Sequence, residues 1–184
     1  FAVFDNEEVG SVTKQGAMST FLVSTLNRIN KALGKSDEDY YRAISKSMLI
    51  SCDNAHALHP NHPELFDIKN RPVLNKGIAI KESANQKYTT DAFSRAVLKS
   101  ILDKRDIPYQ TFANRSDIIG GSTLGNLSNT VVSMNAVDIG LPQLSMHSAY
   151  ETAGALDVLY AIEALRAFFE TNIDIKDDKV SLEV

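Results

Sequence analysis

Residues 1–16, FAVFDNEEVGSVTKQG, set the reading of the whole chain. Phe1 to Phe4 are apolar and predict a short buried strand. Polarity then flips within one residue to Asp5-Asn6-Glu7-Glu8, followed by Val9-Gly10-Ser11. A strand that ends in paired carboxylates and a glycine puts charge at the carboxyl end of a sheet, where open α/β sheets gather their ligands. Along a regular strand Glu7 and Glu8 would face opposite sides. In a loop just beyond it both can converge, one binding a metal and the other holding a water. An acidic run after a strand is more often a solvated turn, so the weight falls on what accompanies the pair.

Outward from this stretch, apolar residues and turn signals alternate. Phe21, Leu22, Leu26, Ile29 and Leu33 keep helical spacing, and Gly34 supplies a stop. Ser36 before Asp37, Glu38 and Asp39 predicts a capped helix to about Met48. Leu49 to Cys52 predicts a short buried strand ending at Asp53. Residues 54–76 are rich in proline, histidine and asparagine, lack periodicity and predict a long loop. Gly77–Lys81 predicts a strand, Thr89 or Thr90 the cap of a helix through Leu102, and Pro108–Ala113 another strand. Gly120-Gly121-Ser122 opens a predicted helix to about Met134, Val137–Ile139 a short strand, and Leu141–Ser148 a loop holding His147. A last helix, about Glu151 to Glu170, carries Leu156, Leu159, Ile162, Leu165 and Phe169 on one face. The tail, IDIKDDKVSLEV, has the weak alternation of an edge strand. Repeated strand–helix alternation predicts a three-layer αβα sandwich with a largely parallel, mixed sheet.

Composition narrows the function. The 184 residues are 43% hydrophobic and 23% charged, which fits one globular unit. A net charge of −4 with no long basic cluster argues against nucleic acid. No apolar run approaches the roughly 20 residues that cross a membrane. A single cysteine, Cys52, excludes an internal disulfide and fits a reducing cytoplasm. The chain begins on a strand at Phe1 without an initiator Met, which predicts a longer parent polypeptide.

The acids and histidines that follow strands are Glu7, Glu8, Asp53, His56, His59 and His147. Carboxylates and imidazoles from three strand ends suit zinc, manganese or cobalt. The plainer alternatives stay open at this point. Asp53 is also a good turn starter, His56 and His59 could be loop histidines bonded to backbone, and His147 could cap the last helix. Cys52 reads as a buried small hydrophobe. Ser122 lacks the following glycine of a nucleophile elbow and reads as a helix N-cap.

Five motifs then fall in one order: FDNEEVGS (4–11), CDNAHALHPN (52–61), GIAIKESANQKYTTDA (77–92), GGSTLG (120–125) and DIGLPQLSMHSAYE (138–151). In that order they resemble the aspartyl aminopeptidase family of co-catalytic zinc aminopeptidases, over nearly the whole chain. The resemblance implies Glu7 as general base, Glu8, Asp53 and His147 as metal ligands, and His56, Lys81 and Tyr88 as substrate contacts. It gives His59 no role. It also implies two divalent metal ions, a peptide substrate opening with Asp or Glu, and a dimer-based homo-oligomer such as a dodecamer. A further histidine and a bridging aspartate of the family, and its dimerisation domain, come from sequence upstream of the first strand here. Residues 1–184 thus read as the carboxy-terminal part of an incomplete zinc-peptidase-like catalytic domain, poorly active alone. Ser116–Gly120 departs from the family's commoner Pro-Cys turn. The rival readings are another two-metal amide hydrolase, acting on N-acyl amino acids or as a glutamyl-type aminopeptidase, and a non-catalytic fragment held by oligomer contacts.

Overall fold

Ile78, Ile80, Val137 and Ile139 are alternating strand residues, and all four side chains are buried in one apolar layer. The computed structural model describes residues 1–176 and 179–183. In chain order these form α1 (Glu7–Gly10), α2 (Phe21–Ala32), α3 (Asp37–Ser45), β1 (Met48–Cys52), β2 (Ala55–His56), β3 (Ile78–Glu82), α4 (Ala92–Lys104) and β4 (Tyr109–Ala113). Next come α5 (Leu124–Ser128), β5 (Asn135–Gly140), β6 (Pro142–Leu144), β7 (Thr152–Ala153), α6 (Ala155–Glu170), β8 (Asn172–Lys176) and β9 (Lys179–Glu183). The central sheet has the order β1-β5-β3-β4. Its β1–β5 and β3–β4 pairs are parallel and its β3–β5 pair is antiparallel, so the sheet is mixed as expected.

Helices cover both faces. Val97, Leu98, Ile101 and Leu102 of α4 and Ala161, Ala164 and Ala167 of α6 close the apolar layer on one side. On the other side α5 packs against β1 and β5. A Cβ at Gly125 of α5 would come within 2.8 Å of both Ser51 and Asp138, so only glycine admits this approach.

The structure revises several local expectations. Phe1–Phe4 forms no strand, and Phe1 and Val3 lie exposed. A strand needs a hydrogen-bonding neighbour as well as apolar residues, and none of the described strands flanks this segment. Glu7 and Glu8 sit in the first turn of a short helix rather than in a loop. The cap of α4 is Asp91, in a capping box with Ser94, and neither Thr89 nor Thr90 takes that place. Thr123, not Ser122, caps α5, which ends at Ser128 instead of near Met134. There the Asn129 side chain accepts from the Met134 N–H and closes a turn. Cys52 is exposed at the end of edge strand β1, not buried. The expected loops at 54–76 and 141–148 each contribute a short strand, β2 and β6, which pair in parallel. The tail folds as its own β8–β9 hairpin, with residues 177, 178 and 184 of that expectation outside the described ones.

The last helix is also turned. Ala161, Ala164, Ala167 and Asp157 face the core, while Leu156, Leu159, Ile162 and Phe169 are exposed. Small residues let the helix axis lie close to β3 and α4, while Tyr160, Leu165 and Phe168 pack against the core only in part.

Candidate metal centre

A cavity of about 150 Å³ lies at one end of the sheet. Glu7, Glu8, Asp53, His56, Lys81 and His147 all line it, together with Tyr88. These residues come from α1, the β1–β2 connection, β2, β3, the loop before α4 and the loop after β6. Local backbone explains how they converge. Asn6 takes a left-handed conformation (φ 53) and starts α1, so the two glutamates leave the chain at a sharp turn. Ser145 (φ 56) and His147 (φ 66) are also left-handed. Such non-glycine residues carry a backbone cost and gather at functional sites. The His147 N–H donates to Glu151 Oε1 at 2.6 Å, which holds the strained turn. Gly140, at the end of β5, lets Asp53 approach: a Cβ there would meet the Asp53 carbonyl oxygen at 1.9 Å.

Glu8 Oε2 lies 3.0 Å from His147 Nε2, so two of the three expected ligands touch. The third, Asp53, turns its Oδ2 to Lys81 Nζ at 3.6 Å. Lys81 is 3% exposed, an unusual place for an ammonium. It donates to the Asn54 carbonyl at 3.0 Å and lies 4.8 Å from the centre of the Tyr88 ring. Tyr88 is buried, and its hydroxyl accepts from Asn114 Nδ2 at 3.2 Å. The His56 ring tilts against Phe112 with centroids 6.4 Å apart.

Charge and burial set the protonation of the cavity. Burial first, then the charges of Asp53 and Glu8, pushes the Glu7 carboxyl above its ordinary value. Burial, with Lys81 and His147 beside it, pushes His56 down, so it favours the neutral imidazole. Burial pushes the Tyr88 phenol up despite its bond from Asn114.

The donor set fits zinc in kind: carboxylate oxygens and an imidazole nitrogen around one cavity. Among the described residues, however, no three such groups stand close enough to form a closed metal site. His59 takes no part in the cavity; its Nδ1 accepts from the Asn61 N–H and its ring lies 5.1 Å from that of His62. The sequence reading passed over Phe112, Gly121 and Met146, which line the cavity, and Asn114, which holds Tyr88. It also treated Asp138 only as part of a strand. The signal there was an acid between two strand-core residues, Val137 and Ile139.

Comparison with known proteins places the chain in a family. The family model described as "Aminopeptidase I zinc metalloprotease (M18)" matches residues 1–169. A Clostridium novyi protein named "Probable M18 family aminopeptidase 2" is 51% identical over 166 residues, 90% of this chain and 38% of its own length. "Aspartyl aminopeptidase 1" of Schizosaccharomyces pombe is 42% identical over 174 residues, 95% of this chain and 37% of its own. Among solved structures, the S. cerevisiae mApe1 dodecamer superposes with a TM-score of 0.80 at 29% identity, covering 91% of this chain and 36% of that one. The chain thus spans well under half the length of the relatives it matches.

Proposed function

The chain belongs to the M18 family of zinc metalloproteases, and from that premise we propose that it forms the carboxy-terminal part of the catalytic domain of a metal-dependent aminopeptidase. The whole protein would release one amino-terminal residue, Asp or Glu by preference, from peptides. The observation that carries this reading is the contact of Glu8 with His147 at 3.0 Å, in a cavity that Glu7 and Asp53 also line.

Glu8, Asp53 and His147 would hold the metal. The chemistry supplied by two divalent ions, zinc in this reading with manganese or cobalt as substitutes, is polarisation of the scissile carbonyl and activation of a water. Glu7 accepts the proton of the attacking water and returns it to the leaving amine. A carboxyl pushed up by burial and by Asp53 suits that exchange, because its conjugate base is stronger than that of an ordinary glutamate. His56 and Tyr88 contact the bound peptide. Lys81, a buried ammonium on the cavity wall, meets the acidic side chain as a point charge.

The further histidine and bridging aspartate that the resemblance puts upstream of the first strand support weak activity for the 184-residue chain alone. The exposed Leu159, Ile162 and Phe169 of α6 support assembly into a homo-oligomer built from dimers, in a dodecamer like that of the yeast structure. No helix among the described residues is long and apolar enough to cross a membrane. A single cysteine and a net charge of −4 favour the cytoplasm and no nucleic-acid partner.

The test is a pair of substitutions in the complete polypeptide. Glu7→Gln should keep its zinc and lose turnover by about 10²–10⁴-fold. Glu8→Gln should lose zinc. Identical behaviour of the two variants would remove the division of labour. Cleavage of N-acyl amino acids but not of aminoacyl anilides by the wild type would favour the deacylase reading.

A further inference from the structure

Asp138 is completely buried at the middle of β5. Its neighbours Val137 and Ile139 belong to the apolar layer under α4 and α6, so the pleat turns Asp138 to the opposite face, toward α5. The antiparallel ladder between β3 and β5 includes Ile80–Ile139 and goes no further toward Asp138. The chain returning toward α4 takes over there. Thr89 donates to Asp138 Oδ2 twice, from its N–H at 2.6 Å and its hydroxyl at 2.7 Å. Thr123 donates its hydroxyl to the other oxygen, Oδ1, at 2.8 Å. The Asp138 N–H donates in turn to Thr90 Oγ1 at 2.9 Å.

A buried carboxyl group is costly unless its acceptors are filled, and here both oxygens are. What it ties together is informative. Thr89 follows Tyr88, and Thr123 follows Gly121-Ser122; Tyr88, Gly121 and Ser122 all line the candidate site. Neither segment reaches the cavity on a long regular element. One follows a loop out of β3 and the other precedes a five-residue helix, α5. A single side chain with two acceptor oxygens is thus bonded to two separate walls of one pocket, and it contacts neither the cavity nor the candidate metal ligands.

We propose that Asp138 is a positioning residue for substrate recognition: it sets the spacing between the Tyr88 arm and the Gly121–Ser122 wall that receive the amino-terminal residue of a peptide. This rests on the aminopeptidase reading above. Asparagine is the informative replacement. The Thr89 N–H can only donate, so an amide must present its oxygen there and its NH₂ to Thr123. The Thr123 hydroxyl can rotate to accept. Asp138→Asn therefore keeps both arms in place, whereas Asp138→Ala releases them. Thr89→Val cuts one hydroxyl bond to Asp138 with little change of shape. Thr123→Val cuts the other and with it the Thr123 side-chain cap of α5, so Thr89→Val is the cleaner of the two.

The experiment measures kcat and KM on an acidic aminoacyl anilide, and zinc content, for these four variants of the complete enzyme. In parallel, 3-fluorotyrosine is incorporated into the complete enzyme, and the ¹⁹F resonance of Tyr88 is assigned with Tyr88→Phe. The expected result is a KM raised roughly threefold to tenfold in each Thr→Val variant, with kcat within about twofold and zinc unchanged. Asp138→Asn should lie close to wild type and Asp138→Ala well beyond the Val variants; if Asp138→Ala does not fold, the Val variants decide. The Tyr88 resonance should move in Thr89→Val and stay near its wild-type position in Asp138→Asn. An unchanged KM with a lowered melting temperature would make Asp138 a stability residue and overturn the proposal. If wild type cleaves no anilide, the aminopeptidase reading fails by itself. The ¹⁹F data then decide Asp138 separately, and an unmoved Tyr88 resonance in Thr89→Val overturns its positioning role.

Discussion

At the scale of one residue, the proposed preference for an acidic substrate rests on Lys81. Its ammonium is buried on the cavity wall beside Asp53 and over Tyr88. A charge in that position is held by its partners and by whatever anion enters. Lys81→Met, which keeps the stem and removes the charge, should lower kcat/KM for aspartyl anilides by about tenfold or more relative to leucyl anilides. Equal losses on both substrates would remove Lys81 as the specificity residue. Glu7 offers a second check. Burial, Asp53 and Glu8 hold its protonated form to higher pH than an ordinary glutamate. In the metal-free chain, NMR titration should place Glu7 above exposed glutamates, and Asp53→Asn should move it down, because a neighbouring negative charge is gone. Residue chemistry was the most legible level in the sequence. Asp53 and His147 stand out by type and by their place after β1 and β6, whereas the acid pair stands out by type alone, since no strand among the described residues precedes it. Asp138 and Asn114 were not legible as site supports, because their importance lies in which remote segments they touch.

At the scale of the element, caps and breakers read well and partners read badly. Ser36 caps α3 in a box with Asp39, and Gly34 stops α2 with φ 70, both as the sequence implies. The Ser36 bonds hold the Asp39 carboxyl below its ordinary value of 3.8. A depressed folded value means that this contribution is present above the unfolded value and is lost as pH falls through the folded one. Ser36→Ala should lower the melting temperature at neutral pH by roughly 2–4 °C. It should also flatten the acid limb of the stability profile, and parallel limbs would contradict the cap's role. Phe1–Phe4 and the outward stripe of α6 were misread for one reason. Hydrophobic periodicity reports that a face is apolar, not what lies opposite it. Ala161, Ala164 and Ala167 won the inward face of α6 through small size. Gly140 makes the same point for the site, since Gly140→Ala would drive a Cβ against the Asp53 carbonyl. That variant should lose zinc affinity at least as severely as it loses thermal stability.

At the scale of the whole molecule, the α/β alternation was enough to give the layered architecture and the mixed sheet. It could not give the extent of the functional unit. The chain spans about 38% of its Clostridium novyi relative. Large apolar residues stand exposed on α6 and near the amino end, including Leu159, Phe169, Val9 and Val12. If these faces join copies or further parts of the protein, Leu159→Glu with Phe169→Glu should lower the oligomer mass seen in light scattering. Turnover per chain should fall with it. An unaltered mass would free the α6 stripe from that role.

The central claim is that carboxylate and imidazole groups from α1, the end of β1 and the turn after β6 bind metal together. Zinc per chain in the complete polypeptide, measured by atomic emission after dialysis, tests it most directly. The account predicts loss of bound zinc in each of Glu8→Gln, Asp53→Asn and His147→Ala, with Glu7→Gln retaining the wild-type content. Undiminished zinc in any one of the three would contradict it.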